Sequence, residues 1–188
     1  MAKLCKLLVL VSLMAVLKRA QAEQSWANRV VGEKETVTNL QFYFHDTFSG
    51  NNPSAIVVVQ PDSTKQTRIR FGRIVMADDP LTVTPYPNSK LVFRAQGLYG
   101  SAGQTKLSFI MDMSLRFTDG CYNGSSLSIS GINPASNPVR EIPIVGGTGI
   151  FRMVGGFAIA RTYFRNFTSS DAIVGYNVTV FDSKGFEL

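Results

Sequence analysis

The sequence predicts an all-β domain folded as a sandwich or a closed antiparallel barrel, and three observations carry that prediction. From residue 40 onward, about nine short β-branched or aromatic runs are separated by clusters of Gly, Pro, Asn and Asp. Several runs alternate between apolar and polar residues, the period-two mark of a strand with one buried face. Helical periodicity is absent outside the first 22 residues. No helix is then available to cover a sheet, and the apolar faces must bury against each other. Closure into a barrel would remove exposed edges and leave an interior able to hold one small ligand.

The chain opens with Lys3 and Lys6, then an apolar run from Leu7 to Leu17 broken only by Ser12, then Ala20-Gln21-Ala22. A basic start, a short apolar stretch and a small-x-small site read as a signal peptide over residues 1–22 and an exported protein. Eleven residues are too few to cross a hydrocarbon core that needs roughly 20, so no stable membrane anchor is expected. Cleavage would remove Lys3, Lys6, Lys18 and Arg19, reducing 19 basic residues to 15 against 13 acidic ones and the net charge from +6 to +2. The basic excess is thus no footprint of a nucleic-acid partner. Asn123, Asn166 and Asn177 each open a glycosylation sequon, whereas Pro53 blocks the one at Asn52. Cys5 leaves with the signal, so Cys121 cannot form an internal disulfide and stability must come from core burial or assembly. Residues 23–39 are polar and aperiodic, an arm carrying Trp26, and residues 40–188 form one domain.

Strands are expected over residues 40–46, 55–60, 67–76, 90–98, 106–117, 126–130, 140–145, 156–164 and 174–181. In the first, alternation puts Asp46 on the face of Leu40, Phe42 and Phe44. A carboxylate among aromatics must find a partner, stay protonated, or line a pocket whose ligand needs it. The alternative is an acid at a strand end turning into the loop 47–53. His45 points to the opposite face, so adjacency makes no His-Asp dyad. With one histidine and no His/Cys cluster, neither a triad nor a metal site is expected. Gly146-Gly147-Thr148-Gly149 reads as a hairpin turn, since no Lys-Ser/Thr follows as a phosphate loop requires. Asp78-Asp79, before Pro80, reads as the cap of a loop. Cys121 sits in a Gly-rich turn with no histidine close in sequence to activate it.

Several motifs, in order, resemble the plant dirigent family. They are Phe42-Tyr43-Phe44-His45-Asp46 with Ser49-Gly50-Asn51-Asn52-Pro53, Asp78-Asp79-Pro80-Leu81-Thr82, Arg94-Ala95-Gln96-Gly97-Leu98-Tyr99, Tyr122-Asn123-Gly124-Ser125-Ser126-Leu127, and the run from Val139 to Arg152. The resemblance covers residues 40–181. It implies an eight-stranded antiparallel barrel, a homo-oligomer (a trimer, or a dimer), and secretion into the apoplast. Family members bind phenolic radicals or quinone methides without a cofactor and direct the stereochemistry of coupling. In lignan-forming members an external oxidase, a laccase or peroxidase, makes the radicals. Some legume members instead dehydrate an isoflavanol to a pterocarpan.

Carried over residue by residue, the resemblance makes Asp46, Arg140 and Thr162 the catalytic group, with Phe44, Tyr99 and Asn133 contacting the guest and Tyr99 near the pocket mouth. Asn133 stands where lignan-forming members have a second aspartate, and an amide cannot exchange protons as a carboxyl can. Ile132 and Gly155-Gly156 are further departures beside the pocket strands. On its own chemistry, Arg140 is a permanent cation whose fork suits a phenolate, a quinone methide carbonyl or Asp46 itself; the alternative is a surface arginine paired with Glu141. Thr162 alternates with Ala158, Ala160 and Phe164, an apolar face. Three functions are expected in order: a non-catalytic dirigent orienting oxidase-made radicals in lignan-type biosynthesis, a dirigent-fold lyase making a pterocarpan, and a secreted structural or defence module.

Overall fold

A computed structural model describes residues 34–184. The expected signal peptide, Trp26 and the arm up to residue 33 lie outside the described residues. Nine strands follow one another: β1 Lys34–Asp46, β2 Ala55–Val59, β3 Ile74–Thr82, β4 Leu91–Ser101, β5 Phe109–Phe117, β6 Ser126–Asn133, β7 Arg140–Thr148, β8 Gly155–Arg165 and β9 Ala172–Lys184. They form one antiparallel sheet in the order β1-β9-β8-β7-β6-β5-β4-β3-β2. The sheet closes on itself where Tyr43 and Phe44 pair with Thr82 and Leu81 of β3. Beyond Asp46, β2 takes over the same edge of β3, with Ala55 opposite Ala77. The result is an eight-stranded barrel in which β1 and β2 share one position, interrupted by the loop 47–54. Asp46 stands at that interruption.

Several boundaries differ from the sequence reading. β1 starts at Lys34 and pairs with β9 along its whole length, from Lys34 opposite Lys184 to Asp46 opposite Ala172. The arm therefore gives up residues 34–39 to the barrel, because β9 extends far enough to satisfy their backbone groups. The expected strand over residues 67–76 is regular only from Ile74, and residues 67–73 form a turn over one end of the barrel. Lys106, Leu107 and Ser108 precede β5 instead of starting it. Asp78 and Asp79 lie inside β3 and cap no loop: alternation turns Asp78 outward to Arg94, 2.6 Å away, and Asp79 inward to complete burial. The Gly146–Thr148 stretch belongs to β7, and the connection to β8 begins only at Gly149, at φ 63°.

One end of the barrel is solid. Phe42, Phe93, Phe117 and Phe151 interlock there, with Phe42 edge-on to Phe93 at 5.2 Å and Phe117 5.0 Å from Phe151. Leu81, Leu127, Ile129, Val178 and Val180 fill the spaces between them. Tyr176 lies over this plug, stacked on Phe42 at 5.6 Å and tilted against Phe44 at 5.9 Å. Toward the other end the polar side chains Asp46, Asn133, Arg140 and Thr162 join aromatic ones on the wall, and the barrel is hollow.

Close approach of β4 and β5 depends on Gly97, opposite Met113 in the register. At φ 154°, a Cβ here would meet the backbone oxygen of Asp112 at 2.3 Å and the Met113 Cα at 2.8 Å. Tyr99 is two residues further along the same strand. Gly97→Ala is expected to cost about 2 kcal/mol or more, with the thermal midpoint falling by several degrees and guest binding weakened. An unchanged midpoint in calorimetry would show that the strands can move apart freely.

Candidate functional site

The hollow end is a cavity of about 720 Å³, large enough for a drug-sized ligand. Strand ends from all around the barrel supply its wall: Phe44 and Asp46 from β1, Tyr99 from β4, Phe109 and Met111 from β5, Asn133, Arg140, Thr162 and Tyr176 from the four that follow. The six site residues expected from the sequence thus line one cavity.

Asp46 is partly exposed as a residue, yet its Oδ1 is shielded from solvent and has no hydrogen-bond partner in the protein. Its Oδ2 accepts a 2.5 Å hydrogen bond from the Tyr99 hydroxyl. Burial raises the Asp46 pKa to about 6, against the opposing effects of the Tyr99 hydrogen bond and the Arg73 charge. With Oδ2 occupied as an acceptor, the proton of the neutral acid falls to Oδ1. Burial and the Asp46 charge likewise raise Tyr99 well above the usual phenol range, so it remains a donor. Tyr99 is also deeper than expected: it is buried against Phe109 rather than standing at the mouth.

Arg140 does not pair with Asp46. It is 3% exposed, and its Nη1 donates to Thr162 Oγ1 at 2.9 Å and to the Asn137 carbonyl at 3.3 Å. Its Nε has no partner in the protein. Among the described residues the ion pairs are Lys90 with Asp119 and Arg94 with Asp78, so this buried guanidinium has no carboxylate. The surface pairing with Glu141 is excluded by alternation, since Arg140 points inward and Glu141 outward. β6 and β7 pair only as far as Ile129 and Ile144. Pro143, with no N–H to donate, lies against Gly131, leaving Asn133 and Arg140 on strand ends that are not hydrogen-bonded to each other.

Asn133 is buried, with Nδ2 3.1 Å from the Met111 sulfur and Oδ1 unpartnered. Thr162 faces the open cavity beyond the fully buried Ala158 and Ala160, but Phe164 does not share that face. A register shift between Thr162 and Phe164 turns Phe164 out to 49% exposure. A bulge of this kind has no period-two signature, which is why alternation misplaced it. Ile132 is exposed and, with Gly155 and Gly156, absent from the cavity wall, so these departures do not reshape it directly. His45 bonds Thr82 Oγ1 at 2.7 Å rather than Asp46, and Cys121 is exposed in the turn 120–122.

The sequence reading missed Asp79. Wholly buried behind the β1–β2 interruption, it accepts from Ser54 Oγ at 2.5 Å through Oδ1, and its Oδ2 is unpartnered. Burial, and after it the Asp46 charge, push its pKa up to about 8. Asp46 ionises first, and its charge then holds the proton on Asp79. The missed signal was alternation within β3, where Asp79 falls in phase with Val75, Ala77 and Leu81. The sequence reading also missed Arg73, which lies 4.7 Å over the Phe48 ring at the cavity edge.

Comparison with known proteins places this geometry. A family model described as dirigent-like protein matches residues 37–181. Dirigent protein 23 of Arabidopsis thaliana is 52% identical over 175 residues, covering 93% of this chain and 94% of that protein. Pterocarpan synthase 1 of Glycyrrhiza echinata is 47% identical over 160 residues, 84% of this chain and 85% of that one. The solved structure of the pterocarpan synthase dirigent protein GePTS1 superposes with a TM-score of 0.77 at 47% identity, covering 83% of this chain and 90% of its own.

A stability consequence follows from Asp79. Its folded value of about 8 lies above its ordinary 3.8, so between those values the native state holds a proton that the unfolded chain releases. The stability this confers is complete below pH 4 and is lost as pH rises through about 8. Asp79→Asn keeps the acceptor for Ser54 and cannot ionise. It is expected to match the parent at pH 3.5 and to be more stable at pH 9 by on the order of a few kcal/mol. Thermal unfolding at the two pH values checks this, and an equal offset at both would contradict it.

Proposed function

The chain belongs to the dirigent family, and on that basis we propose that its cavity binds a phenolic guest as a quinone methide and fixes the face on which the next bond forms, with Asp46 as the acid. One observation carries the reading. Five buried side-chain polar atoms among the described residues have no protein partner, and four of them, Asp46 Oδ1, Arg73 Nε, Asn133 Oδ1 and Arg140 Nε, belong to residues that line the cavity. Each such atom costs roughly 1–3 kcal/mol unless something satisfies it. A guest with several oxygens does so, whereas a structural module without a guest has no use for them.

The reaction that best suits a wall with one protonated carboxyl is loss of water from a 4-hydroxyisoflavan. Asp46 gives its proton to the benzylic hydroxyl, the carbon–oxygen bond breaks, and water leaves. A para-related phenol on the same ring loses its proton, and its oxygen becomes the quinone methide carbonyl, drawn to the Arg140 cation. A second phenolic hydroxyl of the guest then closes on the benzylic carbon, its proton restores Asp46, and the former carbonyl oxygen, now a phenolate, takes back from solvent the proton that the para phenol released there. Phe44 and Tyr176 leave only one face open to that closure. Atoms balance with one water released, and the protein turns over as a carbon–oxygen lyase. The similarity to pterocarpan synthases supports this choice.

A second reading, orientation of oxidase-made radicals in lignan-type coupling, is favoured by volume. At about 720 Å³ the cavity has room for two single-ring phenols as well as one fused-ring guest. Here the protein contributes no redox chemistry and needs a laccase or peroxidase as a partner. Export, glycosylation at Asn123, Asn166 and Asn177, and assembly as a trimer or dimer belong to the same proposal. All three asparagines are exposed. An outward row in which Ile56 faces Met76 and Met76 faces Leu98 offers apolar surface for assembly.

The test is incubation with a 2′-hydroxylated 4-hydroxyisoflavan and no oxidant. A single pterocarpan enantiomer is expected, at a rate that falls as pH rises through about 6, where Asp46 loses its proton. Asp46→Asn should lower the rate ~100-fold or more. Unchanged substrate would reject the lyase reading, and racemic product from coniferyl alcohol with a one-electron oxidant would reject the second.

A further inference from the structure

The cavity wall carries six cations and one carboxyl group. Lys65, Arg68, Arg70 and Arg73 come from the segment before β3, Arg140 from β7 and Arg165 from β8, and Asp46 is the acid. A chain whose balance after residue 22 is only +2 has therefore gathered much of its positive charge at one opening. None of the six takes part in the ion pairs found among the described residues. The neighbouring acid Asp171 lies off this wall, and its oxygens accept from the Phe48 and Ser49 amides at 2.7 and 3.0 Å and from the Ser49 hydroxyl at 2.5 Å.

The backbone that carries four of these cations is held in place. Ser101 Oγ donates to the Ile69 carbonyl at 2.6 Å, the Gly72 amide to the Ser101 carbonyl at 2.9 Å, and Thr64 Oγ1 to the Phe71 carbonyl at 2.5 Å. Arg70 is kept at φ 51° with its amide on Thr67 Oγ1 at 3.0 Å. The segment is thereby stapled to the end of β4 with its charges at the mouth. The charges also oppose one another: after burial, Arg70 lowers the basicity of Arg73, and Arg165 that of Arg140. An anionic group entering the mouth would relieve this repulsion, and low dielectric strengthens its attraction to the two guanidiniums whose Nε atoms are unpartnered, Arg73 and Arg140.

We propose that the guest is an acid-bearing phenol, its phenolic ring against Phe44 and Tyr176 and its carboxylate among Arg68, Arg70, Arg73 and Arg165. The inference rests on the guest-binding role proposed above and narrows its substrate class. A neutral phenol of the same shape remains a guest with weaker binding. The cationic mouth also speeds entry of the acid at low salt.

The test compares 4-hydroxy-3-methoxycinnamate, its methyl ester and the corresponding alcohol, with binding followed by calorimetry. At low ionic strength the acid should bind about 10-fold or more tightly than the ester, and the ester should displace it. The difference should collapse near 1 M salt, where the Debye length is about 3 Å, and shrink ~3-fold or more in the variant Arg68→Gln/Arg165→Gln, whose two sites are exposed and which leaves Arg70 and Arg73 in place. Equal affinities for acid and ester, a difference undiminished in the variant, or failure of the ester to displace the acid would overturn the inference and leave the guest-binding role standing. No binding of any of the three compounds would overturn both.

Discussion

The barrel interior holds a carboxyl group that is shielded from water at one oxygen and given a phenol, not a cation, at the other. An ionised, unpaired carboxylate in such a place is costly, and the fold resolves the conflict by keeping Asp46 neutral to about pH 6. The cation that could have neutralised it, Arg140, is turned to Thr162 instead. Acid and guanidinium are thus kept apart on one wall. Had they paired, each would have silenced the other, and the cavity would have neither a proton to give nor an unpartnered guanidinium N–H to meet an oxygen.

The architecture that permits this is uneven along the barrel axis. Interlocked phenylalanines and aliphatic residues carry the stability at one end. That leaves the other end free to hold groups that cost stability. Asp79 belongs to the same arrangement from behind: wholly buried and protonated to about pH 8, it adds no charge to the wall while Asp46 works. The interruption between β1 and β2 is what places the two acids near each other, since Ser54, the residue just before β2, bonds Asp79.

Much of this was legible in the sequence, for identifiable reasons. Alternation from Leu40 to Asp46 put the acid on the aromatic face, and the structure keeps it there because β1 is paired without a bulge from Lys34 onward. Alternation failed where the backbone departs from a plain strand. The shift between Thr162 and Phe164 reversed a face, and the turn over residues 67–73, rich in β-formers and cations, is held by side-chain bonds to β4 that no local pattern announces. Asp78-Asp79 before a proline has the local pattern of a loop cap, yet Pro80 sits inside β3, opposite Arg94. The pairing partners of Asp46 and Arg140 were out of reach of the sequence altogether. They are set by the positions of Tyr99 and Thr162, which lie 53 and 22 residues further along the chain.

The dehydration proposal depends on a cup whose one carboxyl keeps its proton while a cation waits elsewhere on the wall. Carbon-detected NMR titration of the aspartate carboxyls, with the Asp46 resonance assigned by its loss in Asp46→Asn, measures that state directly. The account predicts a midpoint near pH 6 for the unliganded protein. A midpoint near the ordinary 3.8 would mean an ionised, solvated Asp46 and would contradict it.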